Sequence, residues 1–398
     1  MMQGTKRDRI FFNIFTFWFW FSNYILNPYM SPYAQSMGAS NVAIGFVVSA
    51  YSVAQIALKI PLGIVSDRIG RKKVFIVLGA AISMLSELGM YLSASVGGLI
   101  AFRLLQGIAV ASWVCATVLF ASYLPADQAV NATVHLQIFN SAGTLTGYFA
   151  GGFITERFGY RSVFALAALG AVFALIFASI IRENRQKQEA PLTTRELVQV
   201  GRSPFLLLVT GVCMVGQMIL STTSWGFTPT LALELGASSS QISLISVCWS
   251  VSGLVCSMFI VRRLVKRLGE KRLIIIATAL EAVFCFSQPF MPSILLLAIN
   301  GALSGLTHSM SYSVLLGLSI RYFPGRARAA AMGFMQSLYC IGLFIGPVIS
   351  GYFNDLYGLR AGFIVIGLLG FLAPAATWLF YETAEKKTIS QTGAQQAG

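Results

Sequence analysis

The chain has 398 residues and a formal net charge of +14; 56% of its residues are hydrophobic and only 11% are charged. A soluble domain usually has about 25% charged residues, so this chain lacks the polar side chains to cover a soluble core. Disorder is excluded, because disordered chains are poor in apolar residues. The basic residues lie in short clusters between long apolar runs, which indicates a membrane protein rather than a nucleic-acid partner.

Twelve apolar stretches follow one another along the chain, and most reach the roughly 20 residues that a helix needs to cross a bilayer. Helices are expected because lipid offers no hydrogen-bond partners to open backbone. We therefore predict an all-α integral membrane protein with twelve transmembrane helices. The first six spans are predicted at 10–30, 42–64, 74–95, 98–120, 129–153 and 162–181. The other six are predicted at 204–224, 241–261, 273–291, 293–320, 330–353 and 361–381.

The basic residues predict the orientation in the membrane. On one side of the membrane, the termini and every second loop contain 23 Lys and Arg residues. The loops on the other side contain only Arg157, Arg161 and Arg360. The remaining two, Lys59 and Arg103, fall within predicted spans. By the positive-inside rule, both termini are cytoplasmic. Short loops and tails are typical of a multi-pass protein of a bacterial inner membrane, and we expect a monomer.

The two halves of the chain resemble each other at a shift of 199 residues. The matched residues are mostly Gly, Pro, Arg, Gln and Tyr, and they include Gln137 with Gln336. Six spans per half give repeats of parallel orientation, a plan used by secondary transporters with a site at the repeat interface. The predicted domains are an N-terminal six-helix bundle (1–181), a cytoplasmic linker (182–203), a C-terminal six-helix bundle (204–381) and a cytoplasmic tail (382–398).

Aromatic residues are abundant, with 30 Phe, 14 Tyr and 6 Trp, and they are densest between Phe11 and Phe21. Most of them are expected to face lipid or to lie in interfacial belts. Some could line a pocket for a lipophilic substrate.

Polar residues at helical spacing mark the first, fourth, seventh and tenth predicted helices. Such stripes are expected where a helix borders a watery cavity. Hydrogen bonding between packed helices explains a single Ser, Thr or Asn equally well. The candidate substrate-binding residues are Asn23, Tyr24, Asn27, Gln106, Trp113, Gln217, Ser221, Asn300, Ser304, His308 and Tyr312, with Gln137, Asn140 and Gln336 from the fifth and eleventh helices.

Ionisable residues inside the spans are costly and are therefore functional candidates. Glu87, Arg103, Glu281 and His308 are the candidates for proton coupling. Counting along the hairpin of the third and fourth helices puts Glu87 and Arg103 at the same depth, so they could pair. The same count puts Glu281 level with Asn300. A static ion pair and a carboxylate that exchanges its proton both remain open.

One string, from Gly63 to Lys72, carries the most specific signal in the chain. Its acid at a helix end, its Gly turn and its basic cluster resemble the loop between helices 2 and 3 of the major facilitator superfamily. The resemblance extends to the length, the twelve spans and the two halves. It implies that this loop latches the cytoplasmic side, with Asp67 against the start of helix 11 and held by Arg68 and Arg71. Gly63, Asp67, Arg68, Gly70, Arg71 and Lys72 are the gating candidates of this loop.

Two further strings are similar to motifs of the same family. Arg103, Gln106 and Gly107 look like its fourth-helix motif, whose Arg is associated with proton transfer in exporters. The glycines of the fifth helix resemble the exporter signature, except that Tyr148 stands where Pro is expected. The second half has the Pro instead. These glycines permit close helix contact and bending, and the gating candidates here are Gly143, Gly147, Gly342, Gly346 and Pro347.

These observations favour proton-coupled efflux of a small amphipathic molecule or drug by alternating access. The alternative is an uptake symporter or a uniporter for a sugar or other small metabolite. We expect no enzyme, since no large loop domain or acid cluster is present. We also expect no cofactor and no metal, with the proton gradient as the energy source. The expected partners are the small-molecule substrate and the lipid bilayer.

Overall fold

In the computed structural model the described residues are 6–124, 129–183, 194–323 and 327–396, and they contain helices and no strand. Two π-helical turns, Thr223–Phe227 and Cys256–Ile260, and a 3₁₀ turn, Gln288–Phe290, connect consecutive helices. The first half contains α1 (Lys6–Tyr24), α2 (Asn27–Ser36), α3 (Asn41–Ile69), α4 (Lys72–Leu92), α5 (Val96–Ala111), α6 (Trp113–Ala121), α7 (Ala129–Phe158) and α8 (Tyr160–Ile180). The second half contains α9 (Thr194–Gly201), α10 (Pro204–Thr222), α11 (Thr228–Glu234), α12 (Ser239–Val255), α13 (Val261–Leu268), α14 (Glu270–Ser287), α15 (Ile294–Ser319), α16 (Ala327–Tyr357), α17 (Arg360–Gly370) and α18 (Leu372–Gln396).

Ten continuous helical runs within the described residues are long and apolar enough to cross a membrane. They lie at ten of the twelve predicted positions, and α1 and α7 lie at the other two. The prediction of an all-α membrane protein is confirmed. The seventh span is longer than predicted, because a π-helical turn carries the backbone hydrogen bonding through Thr223–Phe227 and on to Glu234.

The helices form two compact units, each built mostly from one half of the chain. The first unit comprises 1–39, 50–191 and 236–247; the second comprises 40–49, 192–235 and 248–398. Each unit thus includes a short helical segment from the other half. Within the predicted linker, 184–193 lies outside the described residues, and α9 follows it. The predicted tail continues α18 as helix to Gln396.

The aromatic side chains of α1 form much of the core of the first unit. Phe12, Phe15 and Phe19 are almost fully buried, and Phe12 packs against Phe120 with ring centroids 5.0 Å apart. The expectation that most of this aromatic run faces lipid is therefore wrong for these residues. The physical reason is that α1 packs against α4, α7 and α8, which leaves it little surface for lipid.

Glycines bring two helix pairs into close contact at equivalent places in the two units. A Cβ built on Gly143 of α7 would overlap the carbonyl oxygen of Phe17 in α1. A Cβ built on Gly342 of α16 would overlap the carbonyl oxygen of Met214 in α10. Only glycine permits backbones to approach this closely. The first helix of each half is therefore held tightly against the fifth.

Candidate functional site

A small cavity, with room for about one water molecule, lies among the helices of the first unit. Its polar lining residues come from the α1–α2 junction, from α3 and from α5. Five of its residues are among the sequence-predicted candidates: Asn23, Tyr24, Asn27, Arg103 and Gln106. The other two lining residues are Tyr51 and Val110.

Tyr51 is a residue that the sequence reasoning missed, although a signal for it exists. Tyr51, Gln55 and Lys59 recur every four residues on α3, and Gln55 and Lys59 are buried. This spacing marks one helix face. The polar stripes recognised in the sequence were on the first, fourth, seventh and tenth spans, and this stripe is on the second.

Arg103 is the only charged side chain among the residues lining the cavity. It is only 2% exposed, and its partners are neutral groups. Its Nη2 donates to Asn27 Oδ1 at 3.0 Å, and its Nη1 donates to Gln106 Oε1 one turn along α5. The guanidinium lies over the ring of Tyr51, 5.0 Å from the centroid. Its Nε has no hydrogen-bond partner within the described part of the chain.

Glu87 does not form the ion pair with Arg103 that the hairpin count suggested. Between α4 and α5, the Ser86 hydroxyl donates to the carbonyl oxygen of Phe102 at 2.6 Å. The next residue along a helix points about 100° away, because a turn takes 3.6 residues. Glu87 therefore shares its face with Ser83, which donates to Glu87 Oε1 at 3.0 Å. Depth along a hairpin was a poor guide to the side-chain partner.

A chain of hydrogen bonds nevertheless connects Glu87 to the cavity. Asn23 Nδ2 donates to Ser83 Oγ at 3.0 Å, and Ser83 in turn donates to Glu87. Gln106 Nε2 donates to the backbone oxygen of Asn23 at 3.3 Å, and Arg103 donates to Gln106. Glu87 is fully buried, and its Oε2 has no partner among the described groups. The carboxylate is thus buried, and two hydrogen bonds, through Ser83 and Asn23, connect it to the wall of the cavity.

The second unit contains a different buried acid, paired with a histidine. Glu281 Oε1 lies 2.8 Å from His308 Nδ1, and Ser311 donates to Glu281 Oε2 at 3.4 Å. Both side chains of the pair are buried. The His308 ring stacks on Tyr312 with centroids 5.9 Å apart. A buried acid on α14 is thus paired with a histidine on α15.

Asn300 has a different partner from the one its depth suggested. Its Nδ2 donates to Ser287 Oγ at 2.7 Å, at the end of α14. The 3₁₀ turn Gln288–Phe290 and the extended residues after it displace the register of α15 along α14. Glu281 therefore meets a residue two turns deeper on α15, which is His308.

The remaining substrate candidates are distributed over both units. Trp113 stacks on Phe19, with ring planes 10° apart. Gln137 is exposed, whereas Asn140 is partly buried and accepts from Thr144. These three do not line the cavity described above. In the second unit Gln217, Ser221 and Ser304 are buried and Gln336 is partly buried. The roles of all these residues in binding stay predictions.

In the predicted latch loop the structure pairs Asp67 with Lys72. The Lys72 ammonium donates to Asp67 Oδ1, whereas the sequence suggested Arg68 and Arg71 as the cations. Gly70 makes the turn, with φ of +67°, a conformation that other residues rarely adopt. Lys72 is buried and Asp67 is exposed.

Two glutamates that bind the starts of helices α4 and α14 were missed by the sequence analysis. Glu183 Oε1 accepts from the backbone N–H of Lys72 and from that of Lys73 at 3.3 Å, at the start of α4. Its equivalent at a shift of 199 is Glu382, which accepts from Lys271 at 2.8 Å. The internal repeat is a signal for these glutamates, because Glu183 matches Glu382 and Lys72 matches Lys271 at a shift of 199 residues.

A cluster between α15, α14 and the continuation of α18 lies beside the second of these pairs. Arg321 donates to Glu270, and the Tyr322 hydroxyl donates to Glu385 Oε1 at 2.6 Å. Burial and the neighbouring Glu385 carboxylate raise the pKa of Tyr322 above its ordinary value, so that it remains a donor at neutral pH. These contacts tie the start of the predicted tail to the loops of its own unit.

Carboxylates also cap two helices at the opposite ends. Asp355, near the end of α16, accepts from the backbone N–H of Asn41 at 2.8 Å and from that of Val42 at 3.0 Å. Glu156, near the end of α7, accepts from the N–H of Ser240 at 3.0 Å. Glu156 and Asp355 are 199 residues apart. An acid at a helix start satisfies free N–H groups and complements the helix dipole.

Membrane-length helices in two equivalent sets, with buried polar side chains around an internal cavity, define a membrane transporter. The chain belongs to the Major Facilitator Superfamily, whose family model matches residues 12–228 and 213–398.

Known proteins with similar sequences and folds agree with this assignment. The chain is 27% identical to the multi-drug resistance efflux pump PmrA of Streptococcus pneumoniae, over 88% of this chain and 91% of PmrA. The structure of a bacterial homologue of the human lysosomal transporter Spinster is similar, with a TM-score of 0.80 and 15% identity over 96% of this chain and 99% of that one. That of a D-xylose-proton symporter gives a TM-score of 0.75 and 17% identity, over 94% and 97% respectively. Identities this low show a common fold alone.

Proposed function

We propose that this transporter exports a small amphipathic molecule in exchange for protons, by alternating access. The observation that carries the proposal is the relay from Glu87 through Ser83 and Asn23 to the cavity. The name of PmrA, a multi-drug efflux pump similar along most of its length, supports the direction of transport. The proton gradient is the energy source and no cofactor takes part.

Glu87 is the proposed proton carrier of the first unit. A buried carboxylate without a directly bonded cation is costly, and binding a proton reduces that cost. Protonated Glu87 is a donor, so Ser83 can turn its own hydrogen away from it. Asn23 then loses or changes its partner at Ser83. Since Asn23 also lines the cavity, the state of Glu87 alters the wall that the substrate touches.

Glu281 and His308 form the proposed second proton site. The two side chains are buried and in contact, so they act as one unit. A substrate group that replaces either partner would change the proton content of the pair. Tyr312, stacked on His308, is the nearby aromatic surface for such a substrate.

Placement in the membrane completes the proposal. The charge pattern favours cytoplasmic termini and a bacterial inner membrane, and we propose a monomer as the functional unit. The pair Asp67–Lys72 lies then at the cytoplasmic face and acts as a gate, while Asp355 and Glu156 act at the external face.

The proposal is tested in energised inside-out vesicles with a pH-sensitive dye. Tetraphenylphosphonium, ethidium, 2-naphthoate and D-xylose are added outside. An exporter releases luminal protons when its substrate is added, so the dye signal recovers. Glu87→Gln is expected to abolish this recovery while leaving exchange of substrate against substrate intact. Glu234→Gln, at an exposed acid outside the network, is the matched control.

Uptake by symport predicts the opposite dependence on the side of addition. A symporter in these vesicles releases protons only when the substrate is loaded inside. Release by luminal D-xylose, and by none of the compounds added outside, would therefore replace the exporter proposal with uptake. Proton release that persists in Glu87→Gln would remove Glu87 as the carrier.

A further inference from the structure

We propose that the Arg103 cavity is a headgroup site for an organic carboxylate, so that the exported molecules include amphipathic anions. This inference rests on the proposed function, since it names the substrate class of that same site. It is carried by the arrangement of one buried cation, two tyrosine rings and neutral amides around a small cavity.

The charge balance of the cavity is the first argument. Arg103 lines it, and no lining residue carries a negative charge. Its bonded partners, Asn27 and Gln106, are neutral amides. A buried cation is costly until a counter-ion joins it. Glu87 does not fill that role directly, because its bonded neighbour is Ser83.

The unused donor of the guanidinium is the second argument. Nη1 and Nη2 each have an acceptor, whereas Nε is buried and has none among the described groups. Arginine presents its N–H groups as a planar fork that matches the two oxygens of a carboxylate. A cationic ligand would meet the same positive charge and be repelled.

The size and lining of the cavity suggest what the carboxylate is attached to. The cavity has room for about one water-sized group, so it can hold the charged end of a ligand and nothing more. The rings of Tyr24 and Tyr51 line the same space. An aryl carboxylate would therefore place only its carboxylate group beside Arg103, with its ring outside the cavity.

Calorimetric titration of the full chain in a non-ionic detergent tests the inference, because no lipid phosphate then competes. The probes are 2-naphthoate, 2-naphthamide and 2-naphthylmethylammonium, which differ in charge and little in shape. We expect the carboxylate to bind at least tenfold more tightly than the other two. In Arg103→Gln this ratio falls to about one.

A second variant tests the same inference if Arg103→Gln fails to fold. Asn27→Asp is isosteric and puts a carboxylate on the Arg103 guanidinium, so it should also abolish the preference. Asn13→Asp is the control, because it adds an acid in the same predicted span, on α1, but beside His135 instead of Arg103. A preference that survives Asn27→Asp overturns the inference, as does any result in which the carboxylate binds no better than the amide.

Proton release in the vesicles separates this inference from the proposed function. Release by tetraphenylphosphonium without any carboxylate preference leaves the exporter and removes the anion site. A carboxylate preference that needs Arg103, with no proton release by any probe, leaves the anion site and removes proton exchange.

Discussion

Asp355 holds the first turn of α3 through two backbone N–H groups, those of Asn41 and Val42, and through the Asn41 side chain. The carboxylate thus accepts hydrogen bonds from N–H groups that have no acceptor within the helix. Residues 40–49 and Asp355 belong to the same compact unit although they come from opposite halves of the chain. The start of α3 is therefore anchored by a residue more than 300 positions away.

Weakening this cap should loosen the start of α3. We expect Asp355→Asn to lose about 1 kcal/mol of capping, since it removes the charge and one acceptor oxygen. The amides of Asn41 and Val42 should then exchange with deuterium several-fold faster. Glu234→Gln should leave that exchange unchanged. Equal rates in Asp355→Asn and the unmodified protein would show that the cap does not hold the helix start.

Adding one methyl group at Gly342 should destabilise the second unit. The new Cβ would overlap the Met214 carbonyl oxygen, which is backbone and cannot move aside cheaply. We expect Gly342→Ala to cost about 1–3 kcal/mol and to lower the melting temperature in detergent. Gly317→Ala is the matched helical control, because its Cβ would meet nothing within 4 Å. It should be neutral or stabilising by up to about 1 kcal/mol. Similar melting temperatures for the two variants would contradict the close packing.

The Glu281–His308 pair should behave as one unit in a double-mutant cycle. Removing one partner of a buried pair costs about 3–5 kcal/mol, because the other is left without its partner. We therefore expect Glu281→Gln and His308→Asn each to lower thermal stability strongly. The double variant should be more stable than the sum of the two losses implies. Additive losses would show that the two side chains act independently.

Asp67→Asn should slow transport while leaving the amount of protein in the membrane unchanged. The change removes the carboxylate that pairs with the buried Lys72 ammonium. Transport is measured as counterflow in proteoliposomes, and protein amount by a fluorescent C-terminal fusion. Lys72→Gln removes the other partner of the pair and should slow transport to a similar extent. Normal turnover in Asp67→Asn would remove this pair from gating.

The fold was predictable from the sequence because it depends on composition over long stretches. A run of some 20 apolar residues with few charges has no stable alternative to a membrane helix. The five cavity residues on the first and fourth spans were found for a similar reason, since Asn23 and Asn27 repeat with the period of a helix face. Such periodic signals survive errors of one or two residues in the helix ends.

Side-chain partners were not predictable, because they depend on single-residue offsets. Glu87 and Ser86 are neighbours in the chain, yet Ser86 donates to the carbonyl oxygen of Phe102 in α5, whereas Glu87 accepts from Ser83 within α4. Because of a short 3₁₀ turn, the partner of Glu281 is His308 and not Asn300. Tyr51 was missed because the polar stripe on its helix was not recognised. Its spacing of four residues from Gln55 nevertheless marks one face of a helix, as in the other stripes.

The contacts of Glu183 and Glu382 differ in how they respond to mutation of the lysine they bind. Glu183 is held by main-chain N–H groups, which every residue except proline supplies, so most codon changes at Lys72 and Lys73 leave those donors in place. Glu382 is held by the ammonium of Lys271, which one nucleotide change can delete. Replacing the lysine therefore removes the contact in the second half but not the one in the first.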